Sequence, residues 1–290
     1  MRKKIYYLLL LTMLFFFVDT KDVQAEEIFI YGDYEYYFNC DDNYVCICAY
    51  HGKEAEVVIP SEIDGVKVKH INGFVTENDT ITKVQIPEGV RMVGGFNNCT
   101  KLTTVNIPDS VKEIGSFSGC TSLTTIQLPK GLREICNGAF ENCTALKEIH
   151  IPEKIREIGD NAFSGCTSLE KVTLPNKLES IGHYTFTDCK SLKTIKLPSK
   201  LKETGLEVFM NSGLTKITLP ANLEVIDDHA FNNCKNLKSI KIKSKKLRWI
   251  GDSAFCGIHK KAVFDVPNKY IKKYSKMINK GGDSIKKKVK

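Results

Sequence analysis

The stretch IPEKIREIGDNAFSGCTSLEKVTLPNKLESIG, Ile151 to Gly182, says nearly the same thing twice. Ile151-Pro152 returns as Leu174-Pro175, and Ile155 with Ile158-Gly159 returns as Leu178 with Ile181-Gly182, each 23 residues on. A fixed period of this length marks a stack of units around one core, because no single unit can bury its apolar face alone. Inside a unit, Val172 and Leu174 alternate with Lys171 and Thr173, the period of a short strand with one buried face. Pro175 ends that strand, since proline cannot donate to a ladder. Leu178 and Ile181 then turn inward, Gly182 permits a bend, and Phe186 fills the back of the coil.

The period extends in both directions. Pro60, Pro87, Pro108, Pro129, Pro152, Pro175, Pro198 and Pro220 share one slot, Lys243 holds it next, and Pro267 closes the series. The first step contains an insertion at Ile63-Asp64-Gly65-Val66. Cys99, Cys120, Cys143, Cys166, Cys189 and Cys234 all sit three residues before a leucine, so they form a second column. Adjacent coils lie about 4.8 Å apart, beyond the roughly 3.5–4.5 Å that disulfide Cβ atoms prefer. The column therefore reads as packed, reduced thiols. Cys136 takes the place of a corner glycine, and Cys256 belongs to a degenerate last unit.

The two ends differ from the array. Arg2, Lys3 and Lys4, the apolar run Ile5 to Val18, and Val23-Gln24-Ala25 have the order of a secretory signal peptide over residues 1–25. Export, to the medium or to the cell wall, is the expected localisation. Cys40, Cys46 and Cys48 follow, with three readings open: a disulfide to Cys40, a soft-metal thiolate set, or reduced packing. Charge is split along the chain. Residues 26–234 carry 20 lysines and arginines against 29 acidic residues, and residues 235–290 carry 18 against 3. Tyr270, Ile271, Tyr274, Met277 and Ile278 form one helical stripe that suits a cap on the last coil. Ten of these basic residues, Lys241, Lys243, Lys245, Lys246, Lys272, Lys273, Lys276, Lys286, Lys287 and Lys288, are candidates for contact with an anionic surface. That surface would be wall polymer, phospholipid or host sulfated glycan. Nucleic acid is not an expected partner, since no aromatic platform for bases accompanies the lysines.

Chemistry-bearing motifs are scarce. The six histidines lack metal-ligand spacing, and no glycine-rich loop follows a strand to cradle phosphate. Glu148 and His150 share one strand face, but no nucleophile is placed near them. No catalytic residue, cofactor or metal is therefore assigned. The outward strand positions form the candidate ligand surface: Gln85, Asn106, Gln127, Glu148, His150, Lys171, Thr173 and Lys196.

The unit LTTIQLPKGLREICNGAFENCTALKEIHIP, Leu123 to Pro152, resembles the BspA-type leucine-rich repeat of bacterial surface proteins, with its L-x-x-I-x-L-P, L-x-x-I and A-F-x-x-C elements. GDYEYYFNCDDNYVCICAYHGKEAEVVIPSEIDGVKV, from Gly32, resembles the N-terminal cap of such arrays, and VFDVPNKYIKKYSKMI, from Val263, their closing segment. The units ending VGGFNNC and IGSFSGC lack two residues, and Ser212 replaces the cysteine in a shortened unit. The resulting expectation is an α/β solenoid, a leucine-rich repeat array with short parallel strands on a concave face and an irregular or short-helical convex side. Its parts are a β-rich cap at 26–56, the array at 57–266, a cap helix at 267–280 and a basic disordered tail at 281–290. The resemblance implies an exported, non-enzymatic binding scaffold, adhesin-like, for a host or bacterial surface protein or glycan. The rival reading is a wall-associated structural element held by its basic end without a specific receptor.

Overall fold

The computed structural model describes residues 27–39, 43–73, 79–279 and 288–290. The expected signal peptide, Cys40, Lys286 and Lys287 lie outside the described residues. The chain winds into a β-solenoid of about nine turns. One column of parallel strands comprises Glu56–Val58, Lys83–Gln85, Thr104–Asn106, Glu148–His150, Lys171–Thr173, Lys216–Leu219, Ser239–Ile242 and Val263–Asp265. Single bridges, Thr125 to Glu148 and Lys196 to Thr218, carry the register across the coils whose strands are least regular. The interior residue of each triplet, such as Val84, Ile149 or Ile240, is buried and its neighbours face out.

A second strand column was not read from the sequence. Met92–Gly94, Glu113–Ile114 and Glu134–Ile135 pair in parallel, as do Glu157–Ile158 with Ser180–Ile181 and Val225–Ile226 with Trp249–Ile250. Most of these strands have two residues, too few to display an alternation. The third side of the coil is made of turns, which corrects the α/β and short-helical expectation: little of the chain is helical. Phe163 and Cys166 have helical i, i+3 spacing, but Asn161 and Gly165 beside them are left-handed, with φ of 57° and 72°. Such residues interrupt a helix. The Phe163 N–H is donated to Thr185 O of the next coil at 3.0 Å, so even this side is tied coil to coil.

Two ladders fill the turn side. Phe96, Phe117, Phe140, Phe163, Phe186, Phe209, Phe231 and Phe255 stack in sequence, with successive centroids 4.9–5.7 Å apart and planes within 18°. Phe264 closes the stack edge-on at 4.9 Å. Beside it, the thiols of Cys120, Cys143, Cys166, Cys189 and Cys234 each donate to the carbonyl of a phenylalanine in an earlier coil, at 3.0–3.3 Å. Those five thiols are unbridged and buried. Where Ser212 replaces the column cysteine, its hydroxyl meets Cys234 Sγ at 3.2 Å, so the substitution keeps a polar contact in the same column.

At the N-terminal end, β1 (Phe29–Tyr31), β2 (Tyr34–Asn39) and β3 (Tyr44–Tyr50) form an antiparallel meander, and β3 pairs in parallel with Val66–Asn72. The cap thus extends the second column, while the first begins at Glu56. The insertion Ile63–Val66 is the turn of a hairpin: Asp64 and Gly65 have φ of 50° and 77° between paired strands, the signature of a tight two-residue turn. Cys46 is buried and Cys48 half-buried on β3. At the other end, α1 (Ile271–Ile278) buries Tyr274 and Ile278, and Tyr274 donates its hydroxyl to Ser244 O at 3.1 Å. The expectation of a tail without structure over 281–290 needs correction at its last residues. Lys288–Val289 pairs in parallel with Val263–Asp265, and Lys290 N–H bonds Phe264 O at 2.9 Å. The reason is physical: the last strand leaves an edge of unpaired backbone groups, and Val289 packs against the core there.

Candidate binding surface

The first strand column sets the outward side chains in two registered files. One runs Glu56, Lys83, Thr104, and later Glu148 beside Lys171, then Lys216, Ser239 and Val263. The other runs Val58, Gln85, Asn106, then His150 beside Thr173, and Thr218, Lys241 and Asp265. Every residue proposed for the ligand face is exposed, and coil stacking makes neighbours of residues more than 20 apart in sequence.

The face is not uniform. Gln85 and Asn106 lie side by side in a neutral stretch, since the nearby Lys83 is paired to Glu56 at 3.2 Å. A depression of about 630 Å³ brings together Gln127, Glu148, His150, Lys171 and Thr173. Glu148 turns to Lys171 of the next coil, 3.6 Å away, so the carboxylate has a cation partner on the adjacent strand. A second depression, about 750 Å³, gathers Lys196 with Lys216, Lys241 and Lys243. Lys216 is not among the residues singled out from the sequence; overlaying the strand triplets of successive coils, which puts it in the file of Glu148 and Lys171, would have added it.

The basic candidates are dispersed. Lys241 pairs with Asp265 at 3.2 Å. Lys245 is exposed at a corner, and Lys246 donates to Asn222 Oδ1 at 3.3 Å. On α1, Lys272 and Lys276 are exposed, whereas Lys273 donates to Leu247 O at 2.8 Å and so ties the helix to the last coil. The Lys288 backbone belongs to the closing strand.

The second column offers different chemistry. Glu113, Glu134 and Cys136 place three potential ligand atoms within 4.8 Å of one another. The Cys136 thiol donates to Glu113 Oε1 at 3.5 Å and lies 3.9 Å from Glu134 Oε1. Burial, then the two carboxylates, push its pKa up to about 12, so the thiol keeps its proton as a bridge between them. Trp249, the single tryptophan, is 49% exposed at the outer strand of this column.

A family model described as the BspA type leucine-rich repeat region matches residues 69–175 and 156–278, in six copies. The chain belongs to the BspA-type leucine-rich repeat family. Two solved structures share the architecture of this BspA-type array. A leucine-rich cell surface protein from Faecalibacterium prausnitzii is 26% identical with a TM-score of 0.61, over 83% of this chain and 76% of its own. A leucine-rich repeat protein from Treponema pallidum is 29% identical with a TM-score of 0.51, over 87% and 94%. None of the curated proteins gives a significant match. No helix among the described residues is long and apolar enough to cross a membrane.

Proposed function

We propose that this BspA-type protein is an exported, non-enzymatic scaffold that holds a macromolecule, host or bacterial surface protein or glycan, against its first strand column. The observation that carries the reading is the convergence of Gln127, Glu148, His150, Lys171 and Thr173 on one depression of about 630 Å³. None of these side chains is committed to the core, so their chemistry is free of the demands of folding. The likeness to a protein described as a cell surface protein supports an extracellular or wall-associated location. The basic residues of the C-terminal end, Lys245, Lys272 and Lys276 among them, would hold the protein near an anionic wall or membrane surface.

The test is binding of the purified full chain to intact cells, followed by flow cytometry at physiological salt. A Glu148→Arg, His150→Glu, Thr173→Arg variant should fold normally and lose most of that binding. Unchanged binding by this variant contradicts the reading. Binding to isolated walls of the producing cell that moderate salt releases completely, with none to other cells, points instead to a wall element held by its basic end without a receptor.

A further inference from the structure

The second depression of the strand face has one chemistry. Lys196, Lys216, Lys241 and Lys243 line it, and Asp265 is the one carboxylate among its lining residues. Lys241 and Asp265 pair at 3.2 Å, while Lys196 and Lys216 have no ion-pair partner among the described residues. Lys196 pairs in register with Thr218, which pairs with Lys241. The two lysines in that file are therefore two coil steps apart, about 9–10 Å, with Lys216 offset between them on the other file. Nothing in the interior requires this arrangement, because all four lysines are exposed and crowding like charges raises the free energy of the empty groove.

We propose that this groove binds a sulfated polysaccharide. A linear polyanion lying along the solenoid axis meets a cation near each coil it crosses, and Thr194, Thr218 and Ser239 offer hydroxyls between them. Lysine supplies point charge without a planar fork, and the groove contains no arginine, so it selects charge density rather than the geometry of one anion, and a sulfated chain carries more charge per length than a chain of carboxylates alone. The groove also contains no aromatic side chain, so neither nucleobases nor the aromatic anchors of a protein partner have a platform. The proposal rests on the reading of the first column as the binding surface and assigns the partner class of its C-terminal half.

The experiment uses the full chain and a heparin oligosaccharide as probe, titrated at low and physiological salt. Partly desulfated heparin and poly-glutamate serve as comparison probes. A Lys196→Gln, Lys216→Gln, Lys241→Gln, Lys243→Gln variant should bind heparin at least about ten-fold more weakly at low salt, with a shallower salt dependence. Asp265→Asn should bind more tightly than wild type. A Lys286→Gln, Lys287→Gln, Lys288→Gln variant should keep most of the affinity. Equal binding by the groove variant and wild type overturns the proposal. Desulfated heparin binding as tightly as heparin overturns the sulfate assignment, and poly-glutamate doing so shows an acidic polypeptide site instead. The Glu148→Arg, His150→Glu, Thr173→Arg variant should retain heparin, so failure of the groove proposal and failure of the cell-binding reading give different results.

Discussion

Each coil has an inside and an outside, and they obey different rules. Phe163 stacks between Phe140 and Phe186, and Cys166 donates to Phe140 O, in a column that repeats with hardly a change from Phe96 to Phe255. On the opposite side of the same coils, the outward files pass from Gln85 and Asn106 through Glu148 and His150 to Lys196 and Lys241 without repeating. An interior position sees identical neighbours above and below, so one residue type satisfies every coil. An outward position sees solvent or a partner and is free to vary. Regularity thus records folding, and departure from it, on the outward files, marks the positions that folding leaves unconstrained.

The largest expected effect is on the inside. Phe163→Ala should destabilise by about 3–5 kcal/mol, as for other buried aromatics, because it breaks the ring stack and leaves a cavity between two coils. A thermal melt indistinguishable from wild type would place Phe163 outside the core and break the comparison at its root. Cys166→Ala removes one sulfur and its hydrogen bond from the same side and should cost less, about 1 kcal/mol.

The thiol column also sets a pH dependence. Burial, the leading cause, pushes the Cys143 and Cys166 thiols well above their ordinary value of 9.0 and Cys234 up to about 11. The folded protein keeps these protons after the unfolded chain has begun to lose them. The stabilisation is fully present below about pH 9 and is lost as pH rises through the folded values. Melting temperature should therefore fall steadily above pH 9, and the combined Cys143→Ala, Cys166→Ala variant should fall less steeply. Parallel slopes for the two proteins would mean that other groups govern alkaline unfolding.

The smallest effect should come from the outside. Replacing Lys196, Lys216, Lys241 and Lys243 by glutamine should change stability by no more than about 0.5 kcal/mol per site, with relief of repulsion favouring the variant. A large loss of stability in a denaturant titration would show that these lysines serve the coil itself, and the division between inside and outside would blur.

This division explains what was legible in the sequence. Val172 and Leu174, the periodic prolines and the column from Cys99 to Cys234 sit inside or at corners, where repetition exposes them. The second strand column escaped because Glu157–Ile158 is too short to alternate, and its acidic residue looks like any surface glutamate. The short-helical convex side came from the family resemblance, and Asn161 and Gly165, whose left-handed backbone stops a helix there, carry no apolar pattern that would have corrected it. The thiol hydrogen bonds were hidden because a buried cysteine already has a sufficient explanation as a small apolar residue. The cationic groove draws on Lys196, Lys216 and Lys243, far apart in sequence and joined by coil stacking alone. The strand at Lys288–Val289 had no repeat to announce it, since it completes an edge that occurs once.

Thiol labelling of the native protein, read by mass spectrometry, tests the claim of a single dry, repeating interior most directly. Cys120, Cys143, Cys166, Cys189 and Cys234 are unbridged and buried along the turn side, so their protection samples most of the ladder. The expected result is that all five resist alkylation in native buffer and all five are alkylated after denaturation without reductant. Rapid native labelling of any of them, or a residue that stays blocked until a reductant is added, would contradict it.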